Sequence, residues 1–399
     1  MPVSMRCIQT YNFKNKKALI RVDFNVPLNT HHQISDTLRI DQAIPTIRKV
    51  LDDGGAVILI SHLSRPQQGY RPASSLIHLV PYLSQRLNSP VDFVSDCIGT
   101  EAQTKAQNLQ PSQVLLLENL RFHMGEEKAE LTFAKALASL GDVYINNAFG
   151  VAHRAHASVT TITQYFKHKF AGQLLQTEIA HAEQLLKKPR KPFTAIIGGA
   201  KITDKIQAIQ ALLNHVDYLL VGGGVANTFQ KALGGEIGHS LVEKSQLDLA
   251  IALWKEAQRK SVKIVLPADV MVAEQLTEDT QTAIVASNAI PSTMGAYDIG
   301  PRTQIAFNQI IQNSATILWI GPIGVFELAP FNKGTQAIAA AIAQATVQGA
   351  YSLIGGGDSA HAIQALGYSQ QVSYISTGGG ALLTYLAHQT LPGIEALKT

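Results

Sequence analysis

The 399-residue chain is poor in cysteine: it has two, Cys7 and Cys97. Two thiols so far apart make neither a disulfide framework nor a close metal pair, and their scarcity fits a reducing compartment. No stretch approaches the ~18 uninterrupted apolar residues of a membrane span. The first residues, MPVSMRCIQTYNFKNKK, lack the apolar run of a secretory signal. A cytoplasmic protein, not a membrane one, is expected. Heptads, collagen-like repeats and low-complexity tracts are also missing. Charged residues make up only 16% against 46% hydrophobic, which excludes a largely disordered chain.

What charge there is lies unevenly. The formal net charge is +4, from 33 basic and 29 acidic residues. Residues 1–170 carry 18 basic and 13 acidic residues and eight of the 13 histidines; the remainder carries 15 and 16. A basic half implies an anionic partner. There is no run of Lys and Arg and no basic stripe interleaved with aromatics, so nucleic acid is not expected and a small, highly charged anion is.

Short apolar runs alternate with helical patterns throughout. KALIRVDF, AVILISHL, VDFVSD, QVLLLENL and DVYINNAF in the first half read as buried strands. So do FTAIIGG, DYLLVGG, KIVLPAD, TILWIGP, YSLIGGG and VSYISTGG in the second. Segments such as IDQAIPTIRKVL, LTFAKALASL and TQAIAAAIAQA have helical spacing. Alternation of this kind predicts an α/β protein of two doubly wound parallel-sheet domains, as does a length beyond the ~100–200 residues of one domain. GQLLQTEIAHAEQLLKK at 172–188 reads as a helix that Pro189 and Pro192 then end. It is either a hinge element between the domains or an ordinary surface helix and loop.

Ligands of open parallel sheets bind outside the carboxyl ends of the strands. In the first half those ends carry Arg21, Asp23 and Asn25; His62 and Arg65; Arg121; and His153, Arg154 and His156. Arginine forks match carboxylate and phosphate oxygens in pairs, so the set suits a small molecule bearing both. The alternative is that each arginine pairs with a nearby acid such as Asp23 or Glu118. The second half has glycines instead, at 198–199, 222–224, 355–357 and 378–380. Glycine after a strand lets backbone N–H groups and a helix N-terminus approach phosphate. None of the four fits GxxxxGK[ST] or, cleanly, GxGxxG. A P-loop is thereby excluded and an NAD-dependent oxidoreductase disfavoured. Lys201 and Lys205, four apart, would lie on one helical face and hold phosphates. Asp358 is either a Mg²⁺ ligand, since Mg²⁺ takes one or two carboxylates plus phosphate oxygens, or the cap of the helix that follows.

RVDFNVP (21–27), SHLSRP (61–66), ENLRF (118–122), AFGVAHRAHAS (148–158), GGAKITDK (198–205), GPIGVFE (321–327), GGGDSA (355–360) and STGGGA (376–381) strongly resemble phosphoglycerate kinase. The matches run in order to LPGIEAL (391–397). The resemblance implies reversible phosphoryl transfer from 1,3-bisphosphoglycerate to MgADP, giving 3-phosphoglycerate and MgATP, by a monomer. It implies a glycerate domain at 1–171, with 385–399 packing back onto it, a hinge helix and linker at 172–192, and a nucleotide domain at 193–384. Asp23, Asn25, Arg39, His62, Arg65, Arg121 and Arg154 match the glycerate positions. Gly199, Lys201, Lys205, Gly222, Gly223, Gly224, Glu327, Gly356, Gly357, Asp358 and Ser359 match the nucleotide positions, with Glu327 toward the ribose, Gly222 to Gly224 toward adenine and Asp358 on Mg²⁺. Arg39, Lys201 and the N–H groups near Gly379 and Gly380 would stabilise the transferring phosphoryl.

Departures from the family pattern are Ile320 for Asn, Ile323 for Met, Asn147 for Asp, Val151 for Thr, Ser64 for Gly, and Leu382-Leu383-Thr384 for Ser-Leu-Glu. They suggest a missing phosphate contact at Ile320, a carboxylate and a hydroxyl lost near the substrate half at Asn147 and Val151, and a lost helix cap and acid after residue 381. The alternative they leave open is a divergent paralogue that binds nucleotide or glycerate without turnover.

Overall fold

The computed structural model describes residues 5–66 and 69–398. The chain forms two compact units, one of Met1–Ala180 with His388–Thr399, the other of His181–Ala387.

In the first unit β1 (Lys17–Arg21), β2 (Ala56–Ile60), β3 (Val91–Val94), β4 (Val114–Leu117), β5 (Val143–Asn146) and β6 (Lys169–Ala171) form one parallel sheet in the order β3-β4-β2-β1-β5-β6. The inner strands β2, β4 and β5 are buried at every position, which is why they read as unbroken apolar runs. The chain builds outward from β1 to β2, then returns across it to β5. With right-handed crossovers this reversal puts helices on both faces and leaves a crevice beyond β1 and β5. The sequence reading missed β6, a three-residue strand. It also overran the others: KALIRVDF ends as a strand at Arg21, because the chain turns there to present Asp23 and Asn25.

The second unit contains β7 (Phe193–Ile197), β8 (Tyr218–Val221), β9 (Glu236–Ile237), β10 (Lys263–Val265), β11 (Asp269–Ala273), β12 (Ala283–Ala286), β13 (Ala289–Ile290), β14 (Gly295–Ile299), β15 (Thr316–Ile320), β16 (Tyr351–Gly355) and β17 (Tyr374–Ile375). Its main sheet, β10-β8-β7-β15-β16-β17, is again all parallel. The direction of winding reverses between β7 and β15, so this crevice lies beyond Ile197 and Ile320. A small antiparallel sheet, β12-β11-β14, was not foreseen; Val270, Val272, Ile237 and Ile290 form its own core.

The linking helix runs Gln173–Lys187 without a break, and the division between the units falls inside it, after Ala180. The return to the first unit begins at His388, because the helix Gly380–His388 is continuous and Tyr385 hydrogen-bonds Glu183 within the second unit. The division after Ala180 falls within the expected hinge segment 172–192, and the return at His388 lies close to the expected 385. From there the short helix Pro392–Glu395 docks with the Gly393 N–H on the Ala152 carbonyl at 2.8 Å. No helix among the described residues is long and apolar enough to cross a membrane.

Candidate active site

In the first unit the loops after β1, β2, β4 and β5 build a cationic cluster. Asp23 follows β1 with its carboxylate 3.6 Å from both Arg39 Nη1 and His62 Nδ1. Arg39 stands in the first turn of the helix Leu38–Asp52 and donates to the Asn25 carbonyl at 2.6 Å. The Asn25 side-chain oxygen accepts the Ser64 N–H at 2.7 Å, and the Ser64 carbonyl accepts Arg121 Nη1 at 2.6 Å. Ser64 holds a φ of +60° to do both, a left-handed conformation that glycine adopts more cheaply. Arg121 also lies 3.2 Å from Glu127, and Arg154 Nε lies 3.4 Å from His153 Nε2.

The electrostatics record how these charges converge. Burial, then Arg21, Arg121, Arg154 and Arg39 in turn, hold the buried His62 imidazole well below its ordinary pKa. His156 is pushed down to about 4 by burial and then by Arg21, Arg154, Arg121 and His153. His153 is lowered by burial and by Arg154. Burial comes first in lowering Arg121 and Arg154 too; after it, Arg154 bears on Arg121, and Arg65 on Arg154. The histidines are neutral donors among crowded guanidinium groups. His62 Nδ1 thus lies between a donor, Arg21 Nη2 at 3.4 Å, and an acceptor, the Asp23 carboxylate at 3.6 Å.

Arg21 is not part of the ligand surface. It is fully buried, donates through Nε to Ser158 Oγ at 2.8 Å, and faces Glu126 at 3.9 Å. Glu118 is no arginine partner either: its carboxylate accepts Ser75 Oγ, the Leu76 N–H and the Asn119 N–H. Asp23 and Glu127 therefore leave Arg39, Arg65, Arg121 and Arg154 largely uncompensated.

In the second unit the crevice is made of backbone. The Gly198 N–H donates to the Ile320 carbonyl and the Gly199 N–H to Pro322, both at 2.9 Å. A Cβ at Gly224 would stand 2.2 Å from the Ala200 carbonyl oxygen, and one at Gly198 only 2.0 Å from that of Pro322. These glycines let three loops pack as one floor. Gly357 is different: nothing lies within 4 Å of where its Cβ would be, and its φ is not positive. Its bareness serves access. Above the floor is a cleft of about 480 Å³ lined by Gly199, Ala200, Gly223, Gly224, Asn227, Tyr297, Pro322, Gly324, Glu327 and Asp358, with Leu241 and Leu276 among its walls. Those leucines are 56% and 45% exposed, apolar faces fit to take a flat ring.

Of the expected nucleotide residues, Gly199, Gly223, Gly224, Glu327 and Asp358 line this cleft. Gly222 turns toward Ile323 instead, and Ser359 is fully buried, accepting the Gly321 N–H at 2.7 Å, so it holds a loop. Lys201 and Lys205 do not share an α-helical face. Glu243 accepts the N–H groups of Ile202 and Thr203 and the Thr203 hydroxyl, bending 203–205 into a 3₁₀ turn before the helix Ile206–Leu212. Lys201 is exposed; Lys205 reaches back to the Lys201 carbonyl at 3.3 Å. Burial lowers the Lys205 pKa against the pull of Asp204, Asp358 and Glu243. Asp358 is no cap, since Gly356 takes that position without side-chain help. Its exposed carboxylate stands in the first helical turn, close enough to the Lys205 ammonium to act on it electrostatically. That donor set fits Mg²⁺ held by one carboxylate and phosphate oxygens. Gly379 and Gly380 open the helix Gly380–His388 but are not among the cleft-lining residues.

The departures also find their places. Leu382 is the third residue of its helix and no cap, and with Ile320 it packs on Gly355. Thr384 bonds the Gly380 carbonyl within that helix. Asn147 is away from the arginines: its Oδ1 accepts Thr46 Oγ1 at 2.9 Å and the Leu174 N–H at 3.0 Å, at the start of the linking helix. Val151 is buried in a small apolar cluster with Ala148 and Val159.

A unit that gathers arginine around neutral histidine, and a unit that offers backbone, an exposed carboxylate and lysines at a switch point, define a two-domain α/β phosphotransferase. The chain belongs to the phosphoglycerate kinase family, whose model matches residues 8–389. It is 46% identical over 393 residues to the phosphoglycerate kinase of Chlorobium limicola, covering 98% of this chain and 99% of that one. It is 45% identical to that of Porphyromonas gingivalis, with the same coverage. The solved phosphoglycerate kinase of Coxiella burnetii superposes with a TM-score of 0.84 at 39% identity, over 99% of both chains. That of Pyrococcus horikoshii superposes with a TM-score of 0.83 at 29% identity, over 98% of both. The chain is accordingly a kinase whose acceptor is a carboxyl group, and nothing found favours the divergent binding-protein alternative.

Proposed function

We propose that the arginine cluster binds 3-phosphoglycerate or 1,3-bisphosphoglycerate and that the glycine-floored cleft binds ADP or ATP. The observation that carries the first assignment is the gathering of Arg39, Arg121 and Arg154 beyond the strand ends around buried His62, whose pKa burial and then these guanidinium groups and Arg21 lower. Arg65, Arg121 and Arg154 fork the glycerate oxygens, with His62 beside them. Asp23 and Asn25 aim Arg39. Leu241 and Leu276 flank the base, Glu327 accepts from the ribose, and the N–H groups at Gly356 and Gly357 meet the phosphates with Lys201 and Lys205. Asp358 would hold Mg²⁺, which when bound neutralises phosphate charge.

Phosphoryl transfer needs positioning and charge stabilisation more than covalent help. The acyl phosphate is already reactive and the accepting β-phosphate already anionic, so ADP phosphorylation needs no general base. Arg39 and Lys201 stabilise charge on the moving group, with the N–H groups of Gly379 and Gly380 as further donors. Reacting atoms must come within ~3–3.5 Å; closure about the linking helix is the motion we assign to that step. Two free thiols, Cys7 and Cys97, support a cytoplasmic enzyme, and we read it as a monomer.

The test is turnover of 3-phosphoglycerate with MgATP, coupled to reduction of the 1,3-bisphosphoglycerate formed. Arg39→Ala and Lys201→Ala should each lower kcat by about 10²–10³-fold. Arg39→Ala should leave ADP affinity unchanged. Parent-like turnover in Arg39→Ala would remove it from the reaction.

A further inference from the structure

We propose that Asp96, Cys97 and His123 form a site for a borderline-soft divalent cation, zinc foremost, outside the substrate pockets. The fold brings the three together. β3 and β4 pair in parallel with Val94 opposite Leu117, so the loops leaving their carboxyl ends run side by side. One carries Asp96 and Cys97. The other makes the turn Leu120–Phe122, and His123 ends it with its N–H on the Leu120 carbonyl.

One ligand atom from each residue lies within 4.8 Å of the other two. His123 Nε2 is already 2.7 Å from Asp96 Oδ1. Asp96 is aimed by its own turn, through the N–H groups of Cys97 at 2.7 Å and Ile98 at 3.4 Å. The His123 ring stacks on Phe133 at 5.3 Å, which fixes its plane. The Cys97 side chain is completely buried and its thiol forms no disulfide. A buried sulfur aimed at a histidine–carboxylate pair is the feature that a loop-tying hydrogen bond leaves unexplained.

Thiolate, imidazole and carboxylate make a zinc donor set of three protein ligands with a fourth position for water. Magnesium and calcium would ask for oxygen throughout. Ligands at ~2.0–2.3 Å from one zinc ion lie roughly 3.5 Å apart, so the 2.7 Å pair of Asp96 and His123 must open by under about 1 Å while both close on the sulfur by up to about 1 Å. Asp96 and His123 are free to do so, with side chains 44% and 32% exposed, and that exposed side is the entry path. On binding, the Cys97 thiol loses one proton to solvent, and His123 Nε2 exchanges its contact with Asp96 for the metal. Because His123 follows Arg121 by two residues, a bound ion would pin the turn that carries this arginine.

The experiment uses the full chain stripped of metal, titrated with Zn²⁺ in competition with a chromogenic chelator and separately with Co²⁺. The expected result is one equivalent of Zn²⁺ bound at about micromolar Kd or tighter. Cys97→Ser and His123→Gln should each weaken binding by at least about tenfold, as ligand removal does. The Co²⁺ form should show a thiolate-to-metal charge-transfer band that Cys97→Ser abolishes. If the buried serine unfolds the protein, the half-exposed His123→Gln variant and the parent Co²⁺ spectrum decide. No stoichiometric binding, parent-like affinity in His123→Gln, or a Co²⁺ complex without the thiolate band would each overturn the site.

Discussion

The two units share one architecture and, on the assignment proposed above, meet anions by opposite means. The first spends side chains: Arg39, Arg65, Arg121 and Arg154 around His62. The second withholds them: Gly198, Gly224 and Gly357 expose or fit backbone. A small acid with few atoms offers little but charge, so charge must read it. A nucleotide offers a flat ring and a chain of phosphates, which apolar walls and N–H groups can grip with less risk of trapping the product. The consequence is that a single methyl group at a cleft glycine should damage the second site, whereas the arginine cluster of the first is built from side chains.

The largest expected effect separates the units by pH. In the first, His62, His153 and His156 have folded pKa values below the ordinary 6.5. Between that value and about 4 for His156 the unfolded chain binds more protons, so the first unit loses stability as pH falls. In the second, burial raises buried Asp298 from 3.8 to about 7, although it accepts the Gly334 and Ile299 N–H groups. There the folded state binds the extra proton, and stability is lost as pH rises from 4 through 7, by up to about 4 kcal/mol. Both tryptophans, Trp254 and Trp319, lie in the second unit. Tryptophan-detected melting should therefore strengthen on acidification from pH 7.5 to 5.5, with the lowered His181 and His215 offsetting part of the Asp298 gain, while amide exchange speeds up in β1, β2 and β5. Parallel trends in the two probes would break the contrast.

The next effect divides the glycines. Gly224→Ala forces a Cβ against the Ala200 carbonyl and should cost about 2–3 kcal/mol in denaturant unfolding. Gly357→Ala meets nothing and should leave stability unchanged, while weakening MgADP by about tenfold or more in calorimetry. Parent-like MgADP affinity in Gly357→Ala would mean that this N–H does not face the phosphates.

The smallest effect lies at Asn147. Its Nδ2 is buried without a partner, and its oxygen faces a hydroxyl and the first turn of a helix. Asn147→Asp replaces an orphan donor by an acceptor at a positive helix end, worth about 1 kcal/mol of stability with kcat unchanged. A lower melting temperature in this variant would show that the extra charge is costlier than the orphan.

The parallel sheets were legible because strands buried on both faces, such as AVILI and TILWI, leave no periodicity to misread. The anion site was half legible. His62, Arg121 and Arg154 stand at strand ends, but Arg39 comes from a helix and reaches the cluster through the Asn25 carbonyl, a contact that no spacing announces. Leu241 and Leu276 escaped notice because a leucine in a loop reads as ordinary until the fold leaves it exposed beside a cleft. The β11, β12 and β14 sheet was missed because alanine-rich, exposed Ala283–Ala286 lacks the alternation of a half-buried strand.

The return of His388–Thr399 to the first unit has a consequence for biosynthesis. Leu391, Ile394 and Leu397 are buried there, and Gly393 is pressed against Ala152 and Val159 too closely for any side chain. The first unit to leave the ribosome is thus the last to be finished. At about 5–20 residues per second it waits roughly 10–40 s, while the second unit is made, for the segment that closes its core. A chain released just before residue 388 carries a complete second unit and an open seat on the first.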